Sequence, residues 1–337
     1  MKQPTTVRTP LCCLGAGVLL CCLGAVSLCV GSYPLSLNEI LTLITGGLRD
    51  TMQAQVFFTL RLPRTAMAAI AGLALGLAGG VYQTVFRNPL ASPDLTGVAG
   101  GASLGAAAVI VLGGGGAVQI MVGAFGAGLL SLGAVLGLVR ACRTDRTATY
   151  VLAGILVSAL AEAGLMLLKT LADPERELAA IEYWTMGSLS AMTRGKLVAA
   201  LPVAVGAVLV LLFRRQAALL TLGDESARAS GLEPGRWRAL LLGLSTLMVA
   251  AVVSVTGVVA FVGLIAPHIA FGLLRRRGGA FLPLCGLVGA DLLLAADLLA
   301  RNPGSGAELP LSIFTVLFAA PVLCLLMLRR RGDEDAA

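Results

Sequence analysis

Long apolar runs recur along this chain, separated by short segments rich in arginine, glycine and proline. Runs of about 20 apolar residues have the length of a helix that crosses a bilayer. We predict ten such spans, at about residues 11–31, 65–85, 95–112, 117–139, 150–170, 197–213, 239–259, 262–274, 280–300 and 311–328. The runs are continuous rather than alternating in polarity, which favours helices over a closed β-barrel. The expected fold class is an all-α polytopic membrane protein with a single transmembrane domain over residues 1–337.

The composition supports this class. Of the 337 residues, 57% are apolar and 13% are charged, and the mean hydropathy is +0.91, whereas a soluble domain is about 25% charged. The net charge of +7 does not indicate a nucleic-acid partner, because the basic residues sit at the ends of the apolar runs. The 8 cysteines form no Cys-x-x-Cys pair and there is 1 histidine, so we expect no disulfide framework and no metal site in this chain.

The basic residues also predict an orientation. With an even number of spans, both termini lie on one side, and most of the 25 Lys and Arg fall on that side. Because loops rich in Lys and Arg stay in the cytoplasm, we place both termini there. This orientation puts residues 220–234 in the cytoplasm as well.

Two local patterns predict helix details. Ser36 and Glu39 have the spacing of a capping box, which predicts a short helix on the outer surface. Glycines recur at a four-residue spacing, which places them on one helix face and predicts close helix crossings. The pairs include Gly72 with Gly76 and Gly133 with Gly137.

Residues 220–234 form a polar segment inside a mostly apolar chain. Asp224 can cap a short helix, whose dipole favours Asp224 and Glu225 near its start. Gly231 can end that helix in a left-handed turn. We interpret the segment, called the coupling segment below, as a cytoplasmic helix that a soluble partner moves. An ordinary solvated loop between two spans is the alternative.

Two places break the helical pattern at the predicted membrane edges. The first covers residues 87–94, on the cytoplasmic side, and the second covers residues 261–268, on the outer side. This mirror placement suggests two halves related by an inverted repeat, which is common in transporters. The candidate structural or pathway residues in the two breaks are Asn88, Pro89, Pro93, Gly263, Pro267 and His268.

Three acidic residues, Glu162, Asp291 and Asp297, lie inside or near the ends of predicted spans. Acids within a membrane are costly and are candidates for function, including proton relay in a secondary transporter. Asp291 and Asp297 are six residues apart and so do not share a helix face. No paired relay emerges, but a proton-coupled secondary transporter remains the alternative from another class.

The chain resembles the permease subunits of ABC importers for iron-siderophores, haem and cobalamin, the FecCD/BtuC-like permeases. The likeness runs from about residue 35 to 325. It rests on Arg61–Arg64, residues 79–105 (GGVYQTVFRNPLASPDLTGVAGGASLG), Leu152–Ile155, Trp184–Ser190, Leu222–Gly231, residues 257–268, and Ala296–Arg301 with Glu308-Leu309-Pro310.

This resemblance implies a location in the bacterial cytoplasmic membrane and a set of partners. The chain would pair with a second permease copy or a paralogue, with two cytoplasmic ATPases, and with a periplasmic or lipid-anchored binding protein. The cargo would be an iron chelate, a ferric siderophore first, with haem and cobalamin as alternatives. The sequence has no complete phosphate-binding loop, so we expect no enzymatic activity in this chain and no cofactor, with ATP and Mg bound by the partner ATPase.

The resemblance also implies roles for particular residues. Those matching the family's ATPase-coupling pattern are Leu222, Gly223, Asp224, Glu225, Ala227, Arg228 and Gly231. Arg61, Arg64 and Arg301 match outer-face arginines that, in relatives, meet acidic residues of the binding protein; membrane-interface anchoring is the other interpretation. Asp297, Glu308 and Pro310 match structural positions, and we expect Asp297 to hold the end of its span near Arg301.

Overall fold

The computed structural model describes residues 5–31, 33, 35–47, 51–113, 116–143, 146–301 and 308–334. Its α-helices are α1 (Thr5–Cys29), α2 (Leu37–Ile44), α3 (Met52–Gln55), α4 (Leu62–Val85), α5 (Val98–Gly113), α6 (Ala117–Ala141), α7 (Thr147–Leu171), α8 (Glu177–Thr185), α9 (Ala200–Leu212), α10 (Arg214–Leu220), α11 (Asp224–Ala229), α12 (Pro234–Thr256), α13 (Val262–Leu274), α14 (Phe281–Ala300) and α15 (Leu311–Glu334). A π-helical turn, Val56–Arg61, joins α3 to α4, and 3-10 turns occupy Pro93–Thr96 and Arg194–Ala199.

Within the described residues all regular secondary structure is helical, which confirms the all-α class. The helical segments that are long and apolar enough to cross a membrane number seven: Thr9–Cys29, Met52–Val85, Ala117–Ala141, Thr147–Leu171, Arg194–Leu212, Pro234–Thr256 and Phe281–Ala300. Shorter apolar helices cover Val98–Gly113, Val262–Leu274 and Leu311–Leu325. Each predicted span overlaps one of these segments.

The core is built on the crossing of α4 and α14. Gly72 and Gly76 face the backbone of Gly289 and Cys285, and a β-carbon at either glycine would overlap a carbonyl oxygen of α14. Only glycine permits this close approach of two backbones. α12 and α13 pack around the same pair, so the bundle is densest around α4.

Candidate functional site

The coupling segment folds into the short helix α11, Asp224–Ala229. It ends in the predicted left-handed turn, with Gly231 at φ +79. The amide of Gly231 donates to Arg228 O at 2.9 Å and the amide of Leu232 donates to Ala227 O at 3.0 Å, the paired bonds of a Schellman motif. Ala227 and Leu232 are both buried, so this turn fastens the far end of α11 to the protein.

Asp224 does not cap α11, and that prediction is wrong. The N-cap is Gly223, at φ 102, with no side-chain cap hydrogen bond. Asp224 instead accepts a hydrogen bond at 3.0 Å from Nη2 of Arg238, in the second turn of α12. The Arg238 side chain is 1% exposed and that of Asp224 is 34% exposed. Leaving a buried guanidinium without a carboxylate costs more free energy than leaving a helix end without a side-chain cap. This ion pair therefore anchors α11 to α12.

The remaining charges of α11 face solvent. Glu225 and Arg228 are exposed, and neither makes an ion pair with the residues that the structure describes. Leu222, which precedes the helix, is 63% exposed. This short helix therefore offers a cation, an anion and an apolar side chain to a partner.

The first break begins with a local turn. The Asn88 side chain accepts a hydrogen bond at 2.9 Å from the amide of Leu90, and Pro89 follows Asn88 directly. The chain then turns inward, because the carbonyl of Leu95 lies where a β-carbon of Gly154 would be. Gly154 lies about 10 Å along α7 from the start of that helix at Thr147. This segment is therefore re-entrant rather than confined to the membrane edge.

The second break is shorter than predicted. It runs from Gly257, at φ 68, to Phe261, at φ 65, and α13 begins at Val262. Pro267 and His268 lie inside α13, so their assignment to the break is wrong. Pro267 lacks the N–H that would bond to Gly263 O in a regular helix, and that carbonyl packs instead against Gly79 of α4. His268 Nδ1 lies 2.7 Å from Leu264 O, a local structural contact.

The two breaks meet inside the protein. The ring of Pro93 lies against Gly263, and Asp94 and Phe261 line the same small recess. The prediction that the breaks occupy opposite edges is therefore wrong. Phe261 holds a left-handed conformation that is rare for a bulky residue and marks strain. Asp94 and Phe261 are not among the candidates predicted from the sequence, because their proximity depends on two segments more than 160 residues apart.

At the opposite end, three arginines and two acids form an outer charged cluster: Arg61, Arg64, Asp297, Arg301 and Glu308. Asp297 is 0% exposed and accepts bonds from Arg64 Nε at 2.9 Å and Arg301 Nε at 3.0 Å. Arg64 Nη1 lies 2.6 Å from a carboxylate oxygen of Glu308. The structure thus brings together the arginines predicted to dock a partner, and it pairs Asp297 with Arg301 as expected.

Two arginines of this cluster, Arg61 and Arg301, are already occupied within the chain. Arg61 is 6% exposed and donates to Leu28 O at 2.7 Å and to Tyr33 O. Arg301 is 7% exposed and also donates to Ser27 O at 2.7 Å. In this conformation both guanidiniums serve internal contacts. The cluster therefore ties α1 and the start of α4 to the end of α14.

Pro310 directly precedes α15. The first amide of that helix, Leu311 N, donates to Gly187 O at 3.0 Å. The start of α15 is thereby tied to the turn that follows α8. Pro310 thus lies at a junction between helices and makes no contact that indicates chemistry.

The two remaining acids form no relay. Glu162 is exposed on α7, whereas Asp291 is 7% exposed on α14 and its Oδ1 has no hydrogen-bond partner. Asp297 is held by Arg64 and Arg301. Within the described residues, no hydrogen bond links any two of these three carboxylates.

The fold, an all-helical bundle with segments long and apolar enough to cross a membrane, is that of a polytopic membrane protein. Residues 19–329 match the FecCD transport family, and the chain belongs to that family of ABC importer permeases. Membership of this family rules out the alternative prediction, a proton-coupled secondary transporter.

Relatives of known name share most of the chain. The hemin transport system permease protein HmuU of Yersinia pestis is 36% identical, over 94% of this chain and 95% of its own. The vitamin B12 import system permease protein BtuC of Klebsiella pneumoniae is 35% identical, over 94% and 93%. The molybdate import system permease protein MolB of Haemophilus influenzae is 33% identical, over 97% and 98%.

The fold is also that of a solved transporter. A metal-chelate type ABC transporter in an inward-facing conformation is 32% identical and matches with a TM-score of 0.86, over 95% of this chain and 99% of its own. PsaBC from Streptococcus pneumoniae, at 19% identity and a TM-score of 0.56, shares the fold alone.

Proposed function

We propose that this chain is the permease of an importer for an iron chelate, with a ferric siderophore as the first candidate cargo. The observation that carries the importer role is α11, which is exposed on one face and fixed to α12 by the Arg238–Asp224 pair. The chelate class is supported by relatives named for hemin and vitamin B12, and by the metal-chelate transporter of the same fold.

In this proposal the chain works in a dimer, with a second copy or a paralogue. Two cytoplasmic ATPases bind ATP and Mg, and this chain hydrolyses nothing. Glu225 and Arg228 contact the ATPase, while Asp224 holds α11 in place. α12 then carries the movement toward the recess where the two breaks meet, because Val249 and Val253 of α12 line that recess.

A periplasmic or lipid-anchored binding protein docks, in the same proposal, over the outer charged cluster. Arg64 is the best placed of the three arginines, because its partner Glu308 is 35% exposed, whereas Asp297 is fully buried. An acidic residue of the binding protein would replace Glu308 at Arg64. Complementary charge of this kind orients and accelerates docking.

Haem is the second candidate cargo, because the Yersinia pestis hemin permease shares 36% identity over nearly the whole chain.

Uptake in a deletion strain separates the candidates, with radiolabelled ferric siderophores, haem and cobalamin compared with and without the restored gene. Loss confined to ferric siderophores, rescued by the gene but not by a Glu225→Gln/Arg228→Gln variant, would support the proposal. Loss confined to haem or cobalamin would overturn the siderophore assignment, and rescue by the double variant would overturn the role of α11.

A further inference from the structure

A basic cavity opens between the end of α6, the start of α7 and the start of α12, at the same end of the molecule as α11. Its volume is about 410 Å³. Three arginines, Arg140, Arg143 and Arg236, line it together with Leu136, Val139, Tyr150, Gly235 and Ala239. No role described above uses this cavity.

The arginines bring an excess of positive charge. All three are exposed, and Arg140 and Arg143 make no ion pair with any described residue. Arg236 pairs with Glu233 at 2.8 Å, but both side chains are exposed, at 84% and 64%. An exposed pair is weak and readily exchanged. Among the described residues, the cavity therefore presents up to three cations with Glu233 as their one ion-pair partner.

Ordinary helix electrostatics explain only part of this arrangement. Arg140 and Arg143 lie at the C-terminus of α6, where cations are favoured by the helix dipole. Arg236 lies instead in the first turn of the 23-residue helix α12, where the dipole disfavours a cation. That same N-terminus offers free amides to an anion, and Gly235 has no side chain to block them. An anionic ligand accounts for all three positions.

The cavity walls indicate what kind of anion. Leu136, Val139 and Ala239 form an apolar side along α6 and α12, and the arginines lie at the helix ends. An apolar wall beneath a cationic rim matches an amphiphile rather than a small ion. Helix ends at the cytoplasmic boundary are also where anionic lipid headgroups gather.

We propose that this cavity binds the phosphate of an anionic phospholipid of the cytoplasmic leaflet, with an acyl chain against Leu136 and Ala239. The proposal rests on the proposed function and on the orientation predicted from the basic residues, which places this end of the molecule in the cytoplasm, but it does not rest on the cargo. A permease that imports no chelate could still bind this lipid, so the two proposals fail separately.

Lipid titration of the purified full-length protein tests the site, with binding measured by thermal unfolding and by native mass spectrometry. The probes are dioleoylphosphatidylglycerol, dioleoylphosphatidylcholine and inorganic phosphate. We expect phosphatidylglycerol to raise the Tm and to bind more tightly than phosphatidylcholine. An Arg140→Gln/Arg143→Gln/Arg236→Gln variant should bind phosphatidylglycerol on the order of 100-fold more weakly, since each basic residue contributes about fivefold.

The matched control removes the same charge elsewhere on the exposed cytoplasmic face, as Arg214→Gln/Arg215→Gln/Arg275→Gln, and should keep the tight binding. Equal weakening in both triple variants would overturn the proposal, because it would show a diffuse surface effect. Stabilisation by inorganic phosphate equal to that by phosphatidylglycerol would also overturn it, in favour of a free-phosphate site. So would loss of ATPase co-purification without any lipid effect, because the cavity would then be a protein contact. If the triple variant does not fold, Arg236→Gln alone is tested in the same way.

Discussion

In the outer charged cluster, Asp297 is fully buried between Arg64 and Arg301, whereas Glu225 and Arg228 of α11 are exposed to solvent without an ion-pair partner among the described residues. Both regions contain arginines and acids that were predicted as site residues, but their charges lie in opposite environments. The outer cluster satisfies its charges within the chain. The coupling segment leaves its charges for another molecule.

This difference distinguishes charges that anchor helices to one another from charges that can contact a partner protein. A buried charge must be paired inside the protein, because removing it from water costs several kcal/mol, so a pair such as Asp297–Arg301 fixes helices together. An exposed charge stays hydrated and loses no desolvation free energy, so it can form an ion pair with a partner protein. By this criterion Asp224, paired with the buried Arg238, belongs with the anchors although it lies in the coupling segment.

The largest expected effect follows from removing the central anchor. Asp297→Asn leaves Arg64 and Arg301 without their shared carboxylate, and we expect a loss of about 3–5 kcal/mol, the range for breaking a buried pair. Thermal and denaturant unfolding in detergent measure it. Asp291→Asn is the matched control, since Asp291 is buried on the same helix without a hydrogen bond, and it should be neutral or stabilising. Equal losses in the two variants would contradict the anchoring role.

The next effect concerns the anchor of α11. Asp224→Ala removes the carboxylate that accepts from Nη2 of the buried Arg238, and we expect about 1–3 kcal/mol of local destabilisation, with faster proteolysis of residues 220–234 and reduced uptake. Arg238→Met in the same chain removes the buried charge as well and should restore much of the protease resistance. Strictly additive effects in this double-mutant cycle would show that the two side chains do not act together.

Local patterns were predictable from the sequence where no distant residue interfered. Ser36 and Glu39 form the predicted capping box, with Ser36 N donating to Glu39 at 2.8 Å, and this bond lowers the pKa of Glu39. Asp224 has an equally suitable local setting, but Arg238, 14 residues away, takes its carboxylate. A local rule fails where a buried charge from another element competes for the same group.

Glycine spacing shows the same limit. The spacing is identical in Gly72–Gly76 and Gly133–Gly137, yet the first pair meets the backbone of α14 and the second has nothing within 4 Å. Spacing identifies a helix face, but it does not tell which neighbour covers that face. The contact between Pro93 and Gly263 could not be predicted from the sequence for the same reason, because it depends on how α4, α7 and α12 pack together.

A smaller effect on stability is expected at the edge of the outer cluster. Glu308→Gln weakens a half-exposed pair with Arg64, which is worth about 0.2–1 kcal/mol in such settings. The same change weakens the hold on Nη1 of Arg64, while Nε stays bonded to Asp297, so affinity for the binding protein should rise if that arginine is the docking site. Titration of purified binding protein measures it, with Arg64→Gln as the control that should lower affinity. Unchanged affinity in both variants would show that the binding protein docks elsewhere on the molecule.

The smallest change in stability is expected at Glu225 and Arg228. Because both side chains are exposed and unpaired among the described residues, Glu225→Gln and Arg228→Gln should each change the free energy of unfolding by no more than about 0.5 kcal/mol. Uptake and co-purification with the ATPase should nevertheless fall, because these charges are the ones displayed to a partner. Arg275→Gln, an exposed change at the end of α13, should leave co-purification intact. If Glu225→Gln and Arg228→Gln left both uptake and co-purification unchanged, solvent exposure in this segment would not mark contact with a partner protein. The distinction between charges that anchor helices and charges that contact a partner would then fail for α11.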